Sequence, residues 1–162
     1  MINTSVRPAD DIERVIDTYG NMLFRLCYVM LGSEADSEDV VQETLIRYFQ
    51  KSTVFKDAEH EKAWLLKVAS NRCNDILRYK SRHPHMDIDS VKHIIHEDDK
   101  SEILDALMNL PEKYRLVLIL YYVEGYHIEE IARIIGRTSS AVKMRLQKGR
   151  GMLKKEYIRE SV

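Results

Sequence analysis

The chain has 162 residues, 44% hydrophobic and 31% charged, with a formal net charge of -1. That balance excludes a disordered chain, and six Gly with three Pro exclude collagen-like and Pro-rich classes. Two Cys build no disulfide framework, the opening MINTSVRPADD is no signal peptide, and the longest apolar run, Leu116 to Val123, cannot span a bilayer, so a soluble cytoplasmic protein is expected.

The apolar pattern is helical nearly everywhere. Ile12, Val15, Ile16, Tyr19, Leu23, Leu26, Cys27 and Met30 follow the three-and-four spacing of one buried stripe. Gly32 and Ser33 break it. The segment ADSEDVVQETLIRYFQ predicts a second helix burying Val41, Leu45, Tyr48 and Phe49. Ser52 to His60 lose periodicity and read as a loop. A third helix is expected from about Glu61 to Arg82, with Trp64, Leu65, Val68, Ala69, Ile76 and Leu77 inward, stopped by Pro84.

Residues 84–99, PHMDIDSVKHIIHEDD, read as an acidic, flexible linker, with a short amphipathic piece at Val91 to Ile95. A fourth helix then carries Ile103, Leu104 and Leu107. Pro111 suits the first position of a fifth, which buries Leu116, Val117, Leu120 and Val123 and closes at Gly125. The expectation is all-α: three helices, a linker, then four helices, with domains at 1–83 and 100–162.

Charge is uneven along this layout. Residues 84–99 carry one basic and five acidic side chains, whereas residues 137–155 carry seven basic and no acidic ones. A polyanion partner is therefore expected at the C-terminal end.

The same end holds the most informative motif, HIEEIARIIGRTSSAVKMRLQKGRGML. Ala132, Gly136 and Val142 have the spacing of a helix-turn-helix: a small residue at the crossing, Gly in the turn, a branched residue beneath. Thr138 and Ser139 are N-cap candidates for its second helix. Along that helix Val142, Leu146, Gly149 and Leu153 form the inward stripe, leaving Ser140, Lys143, Met144, Gln147, Lys148 and Arg150 for a major groove.

The stretches EDVVQETLIRYF (38–49), AWLLKVASNRCNDILR (63–78) and LPEKYRLVLILYYVEGYHIEEIARIIGRTSSAVKMRLQKGR (110–150) together resemble a bacterial RNA polymerase sigma factor of the extracytoplasmic-function (ECF) type. The resemblance implies two helical domains, sigma regions two and four. It implies that Glu38, Asp39, Gln42 and Glu43 bind core polymerase. It implies that the loop residues Phe55, Lys56, Asp57 and Ala58, with Lys67, Asn71, Asp75 and Arg78 on the third helix, read the promoter's minus-ten element. A base flipped out of the duplex can be read on its Watson–Crick edge. Phe55 also reads as a core anchor. The minus-thirty-five element falls to Ser139, Ser140, Lys143, Met144, Arg145, Gln147, Lys148 and Arg150. Met144 offers only apolar contact, for example to a thymine methyl. His127 replaces the usual Ser or Thr partner of Glu130, weakening that capping box.

The resemblance further implies an anti-sigma factor partner, through which the chain can be held at a membrane. His83, His85, His93 and His96 lack the Cys partners of a metal site and read as linker residues, so no metal and no cofactor is expected. Ser70 and Cys73 have no positioned base, so neither an enzyme nor a small-molecule substrate is expected. The alternative readings are a stand-alone helix-turn-helix regulator with a helical dimerisation or sensor domain, and a protein-binding helical module.

Overall fold

The structure, a computed structural model, describes residues 7–51, 54–82 and 101–160. The expected linker at 84–99, its piece at Val91 to Ile95, and His83, His85, His93 and His96 lie outside the described residues. The regular elements among the described residues are all helices, without strands, and fall into two compact units, one up to Arg82 and one from Ser101 on.

The first unit packs α1 (Ala9–Leu31), α2 (Glu34–Gln50) and α3 (Ala58–Arg82). Gly32 takes φ 66° and ends α1, its N–H donating to the Tyr28 carbonyl at 2.8 Å. Ser33 then caps α2, its hydroxyl accepting from the Asp36 N–H at 3.2 Å. Val15, Leu23, Leu26 and Cys27 of α1 meet Val40 and Tyr48 of α2 and Leu65, Leu66, Ala69 and Cys73 of α3, all essentially inaccessible to water.

Three expectations need correction here. Ile16 is 45% exposed, off the buried stripe. The buried side of α2 runs through Ser37, Val40, Thr44 and Tyr48, while Val41, Leu45 and Phe49 are only half-buried. Ser37 and Thr44 can face inward because their hydroxyls donate to the carbonyls of Ser33 and Val40, one turn back. Finally, α3 starts at Ala58 rather than Glu61. Asp57 draws the chain into the helix early, accepting from the His60 N–H at 2.7 Å, so Ala58 is helical and not part of the loop.

The second unit holds α4 (Ser101–Met108), α5 (Glu112–Leu118), α6 (Ile128–Ile135) and α7 (Ser139–Glu160). Pro111 is the N-cap of α5, one place before the expected first helical position. After Leu118 the helix widens into a π-turn, Ile119–Val123. Leu116, Val117 and Leu120 are buried as expected, but the extra residue in that turn carries Val123 outward, to 54% exposure. Gly125, at φ 73°, ends the segment. Gly149 lies where α7 meets α5: a Cβ there would sit 3.2 Å from Leu118 Cδ1 and 3.4 Å from Tyr114 Cβ.

Candidate nucleic-acid interface

The C-terminal pair of helices is set by local chemistry. The α6 start is held by the Glu130 carboxylate, which accepts the His127 N–H at 2.8 Å, so the Glu130 half of the capping box is present despite His127. Gly136 takes φ 66° at the end of α6, and the Arg137 N–H donates to the Ala132 carbonyl at 3.0 Å. Thr138 then caps α7, its hydroxyl accepting from the Ala141 N–H at 3.1 Å. Ile131, Ala132 and Ile134 of α6 are buried with Val142, Leu146 and Gly149 of α7.

That packing sorts the residues assigned to DNA. Ser140, Met144, Gln147 and Lys148 form the outermost stripe, opposite Val142, Leu146 and Gly149, and Met144 is 62% exposed. Lys143 and Arg150, seven residues apart and exposed, share one edge. There the Arg150 guanidinium donates to the Tyr122 hydroxyl at 3.0 Å. Arg150 also lines an apolar groove of about 560 Å³ with Ile103, Leu107, Tyr122, Leu153 and Tyr157. Arg145 is half-buried on the other edge, where burial and the nearby Arg137 charge both lower its pKa. Ser139 is half-buried at the start of the helix. The eight residues thus occupy an outer stripe and two edges, rather than one flat face.

In the first unit, Glu38, Asp39 and Gln42 are exposed on α2. Glu43 is not free: Arg72 Nε donates to it at 2.7 Å and Arg47 at 3.2 Å. Lys67, Asn71, Asp75 and Arg78 are exposed along one side of α3, with Arg78 paired to Asp75 at 3.4 Å. Ser70 and Cys73 face inward; the Ser70 hydroxyl donates to the Lys67 carbonyl, and the neighbouring Cys27 and burial push the Cys73 thiol up.

The segment before α3 is anchored by aromatic rings. Phe55 lies flat on Tyr48, centroids 5.7 Å apart and planes 5° from parallel, and Trp64 tilts against both. Phe55 is therefore a packing anchor. Trp64, expected inside, is only half-buried, with the Lys51 ammonium over its ring at 5.0 Å. Lys56 and Asp57 are exposed, and the Lys56 N–H donates to His60 Nδ1 at 3.2 Å.

Sequence reasoning missed what lies beneath. Glu61, only 6% exposed, accepts from the Tyr48 hydroxyl at 2.6 Å and from Arg14 at 2.8 and 3.2 Å. Arg14 and Arg7 both bind Asp11. Burial pushes Glu61 up, but the Arg14 and Tyr48 bonds outweigh it and hold the carboxyl below its ordinary value. Asp11 is lowered chiefly by Arg14, and burial raises the Tyr48 phenol. No spacing signals this cluster, since Arg14 and Glu61 are 47 residues apart.

Two helical units, one ending in a helix-turn-helix with a basic second helix, define a class of transcription protein. Residues 15–83 match the family description Sigma-70 region 2, and residues 100–153 match Sigma-70, region 4. The chain is 27% identical over 166 residues to the ECF RNA polymerase sigma factor SigW of Bacillus subtilis (strain 168), covering 91% of this chain and 89% of the relative. It is 26% identical to the RNA polymerase sigma factor SigV of the same organism, covering 86% of each. The fold matches the sigma factor RpoE solved in complex with the anti-sigma factor NepR from Bartonella quintana, with a TM-score of 0.78, 24% identity and coverage of 91% of this chain and 97% of that one. The chain belongs to the ECF sigma factors of the sigma-70 family. It is thus an alternative sigma factor directing transcription initiation, and the stand-alone regulator is not favoured, since a region-two match accompanies the helix-turn-helix. No helix among the described residues is long and apolar enough to cross a membrane.

Proposed function

We propose that this chain binds core RNA polymerase through the α2 face of Glu38, Asp39, Gln42 and Glu43 and reads a two-part promoter. In this reading residues 55–58 with Lys67, Asn71, Asp75 and Arg78 meet the minus-ten element. Ser139, Ser140, Lys143, Met144, Arg145, Gln147, Lys148 and Arg150 meet the minus-thirty-five element. The domains are 1–83 and 100–162, joined by a linker at 84–99. The observation that carries the reading is the exposed outer stripe of α7, capped at Thr138 and seated on α6 by Val142 and Leu146. A helix so presented can enter a major groove with its first turns at base edges.

The protein supplies no chemistry of its own and needs no cofactor; it works in the cytoplasm, where an anti-sigma factor holds it until required. The sigma factors RpoE and CnrH, whose folds it shares, were both solved bound to such partners, NepR and the cytosolic domain of CnrY. The test is transcription by bacterial core polymerase from a promoter library, with and without this chain. New start sites that require the chain support the proposal. Tight binding to a short palindrome without polymerase would refute it.

A further inference from the structure

A loop that discriminates one base from another must be held to about half an ångström by groups whose own positions are locked. Residues 55–57 carry part of the minus-ten assignment, and three sets of contacts fix them from outside the loop. The first is Arg7, just before α1. Its Nε donates to the carbonyls of both Tyr48 and Lys51 at 3.1 Å, joining the last turn of α2 to the residue that follows it. Its guanidinium covers the Tyr48 ring at 4.2 Å and reaches the Phe55 ring at 5.2 Å. The second is the Tyr48–Phe55 stack itself. The third is Glu61, in the first turn of α3. Its own N–H donates to the Asp57 carbonyl at 3.1 Å, while its carboxylate is pinned by Tyr48 and Arg14.

These contacts are directional. The Arg14–Glu61 pair uses two guanidinium nitrogens on two carboxylate oxygens, which fixes an angle as well as a distance. A clip needed only to hold α1 against α3 would have no use for Arg7 on the Lys51 carbonyl and the Phe55 face. Those contacts lie at the α2 end and the loop.

We propose that Arg7 and Glu61 are positioning residues for minus-ten recognition, setting the loop residues 55–57 against the first turn of α3 without touching DNA themselves. The proposal rests on the minus-ten assignment made above. Loss of either residue leaves polymerase docking and the α7 interface untouched, so discrimination falls at the minus-ten element alone.

The experiment uses the full chain with bacterial core polymerase and a linear promoter library randomised in both elements, the transcripts being sequenced. For Arg7→Gln and Glu61→Gln, the preference for the best minus-ten sequences over the rest should fall about tenfold, as small misplacements do. The minus-thirty-five preference should stay at the wild-type value. Arg7→Lys should not rescue, because an ammonium cannot bind two carbonyls and lie flat on a ring. If Glu61→Gln melts the first unit, Arg7→Gln decides, its own melt being measured beside the library. Lys56→Ala, an exposed loop change, separates the two ideas. If it alters the minus-ten preference and Arg7→Gln does not, the positioning proposal is wrong while the loop assignment stands. If neither the wild type nor Lys56→Ala shows the loop reading the minus-ten element, both fall. Equal loss of preference in both elements for Arg7→Gln also overturns the proposal.

Discussion

Removing the single Tyr48 hydroxyl tests the physics of the Glu61 cluster. Tyr48 is completely buried, and Phe fills the same space, so Tyr48→Phe opens no cavity. The phenol has one proton to give. Glu61, at 2.6 Å, receives it in preference to Asp11, at 3.1 Å. A hydrogen bond to a charged group contributes about 1.5–3 kcal/mol. Glu61 keeps both Arg14 bonds in the variant, so the larger cost of stranding a buried charge is not incurred. The expected loss is about 2 kcal/mol, which for a unit of this size lowers its melting temperature by roughly 10 °C. Trp64 is the only tryptophan of the chain and packs against Tyr48, so its fluorescence in a urea titration reports this unit. Acid adds a second readout. Glu61 and Asp11 are held below their ordinary values, so their contribution is complete above the ordinary carboxylate range and is lost as pH falls through the folded-state values. Tyr48→Phe removes one bond that lowers Glu61, so the acid-sensitive part of stability should shrink and its loss should be complete at a higher pH, the onset staying in the ordinary carboxylate range. A variant as stable as the wild type at neutral pH, with an unchanged acid profile, would refute the reasoning.

Glu38→Arg with Asp39→Arg should shift the melt by no more than about 0.5 kcal/mol per site, both being exposed, while lowering core polymerase binding at least about tenfold in a pull-down titration. Glu43 is left alone because it already pairs with Arg72 and Arg47; intact binding by the double variant would remove this face from the polymerase interface. Lys143→Ala should cost about 1–3 kcal/mol in promoter binding and relax preference at one minus-thirty-five base, whereas Arg150→Ala should weaken all sequences alike, read by competition binding of the holoenzyme. Gly149→Val should destabilise the second unit by about 3 kcal/mol, since even a Cβ already presses on Leu118, and leave the Trp64 transition in place.

What was legible in the sequence was local. Gly32 and Ser33 mark one helix end and the next start because a positive φ and a hydroxyl cap are chemistry of neighbouring residues. The α6–α7 turn was legible for the same reason, through Gly136 and Thr138. Hydropathy misplaced the α2 stripe by one residue because it counts Ser37 and Thr44 as polar, whereas bonds to carbonyls one turn back make them buriable. A uniform helical period turns Val123 inward, whereas the π-turn carries it out. The sorting of the α7 residues depends on which edge meets Tyr122 and which meets Arg137, and Arg7 and Glu61 join partners dozens of residues away. Only the tertiary fold brings such pairs together.

The two units hold their candidate DNA residues by different physics, and the difference follows from backbone regularity. On α7 the residues ride a continuous helix whose own hydrogen bonds fix their spacing, so apolar packing of Val142, Leu146 and Gly149 is enough to aim it. Apolar contact is strong but non-directional. A loop has no internal ladder to set angles, and residues 55–57 precede α3 without one. There the fold accepts the desolvation of Glu61, which by itself is weak ground for stability. In return it gains bonds with defined directions, from Tyr48 and Arg14 to the carboxylate and from Arg7 to two carbonyls. On the minus-ten reading proposed above, the polar cluster stands where angular precision is required and the backbone cannot supply it.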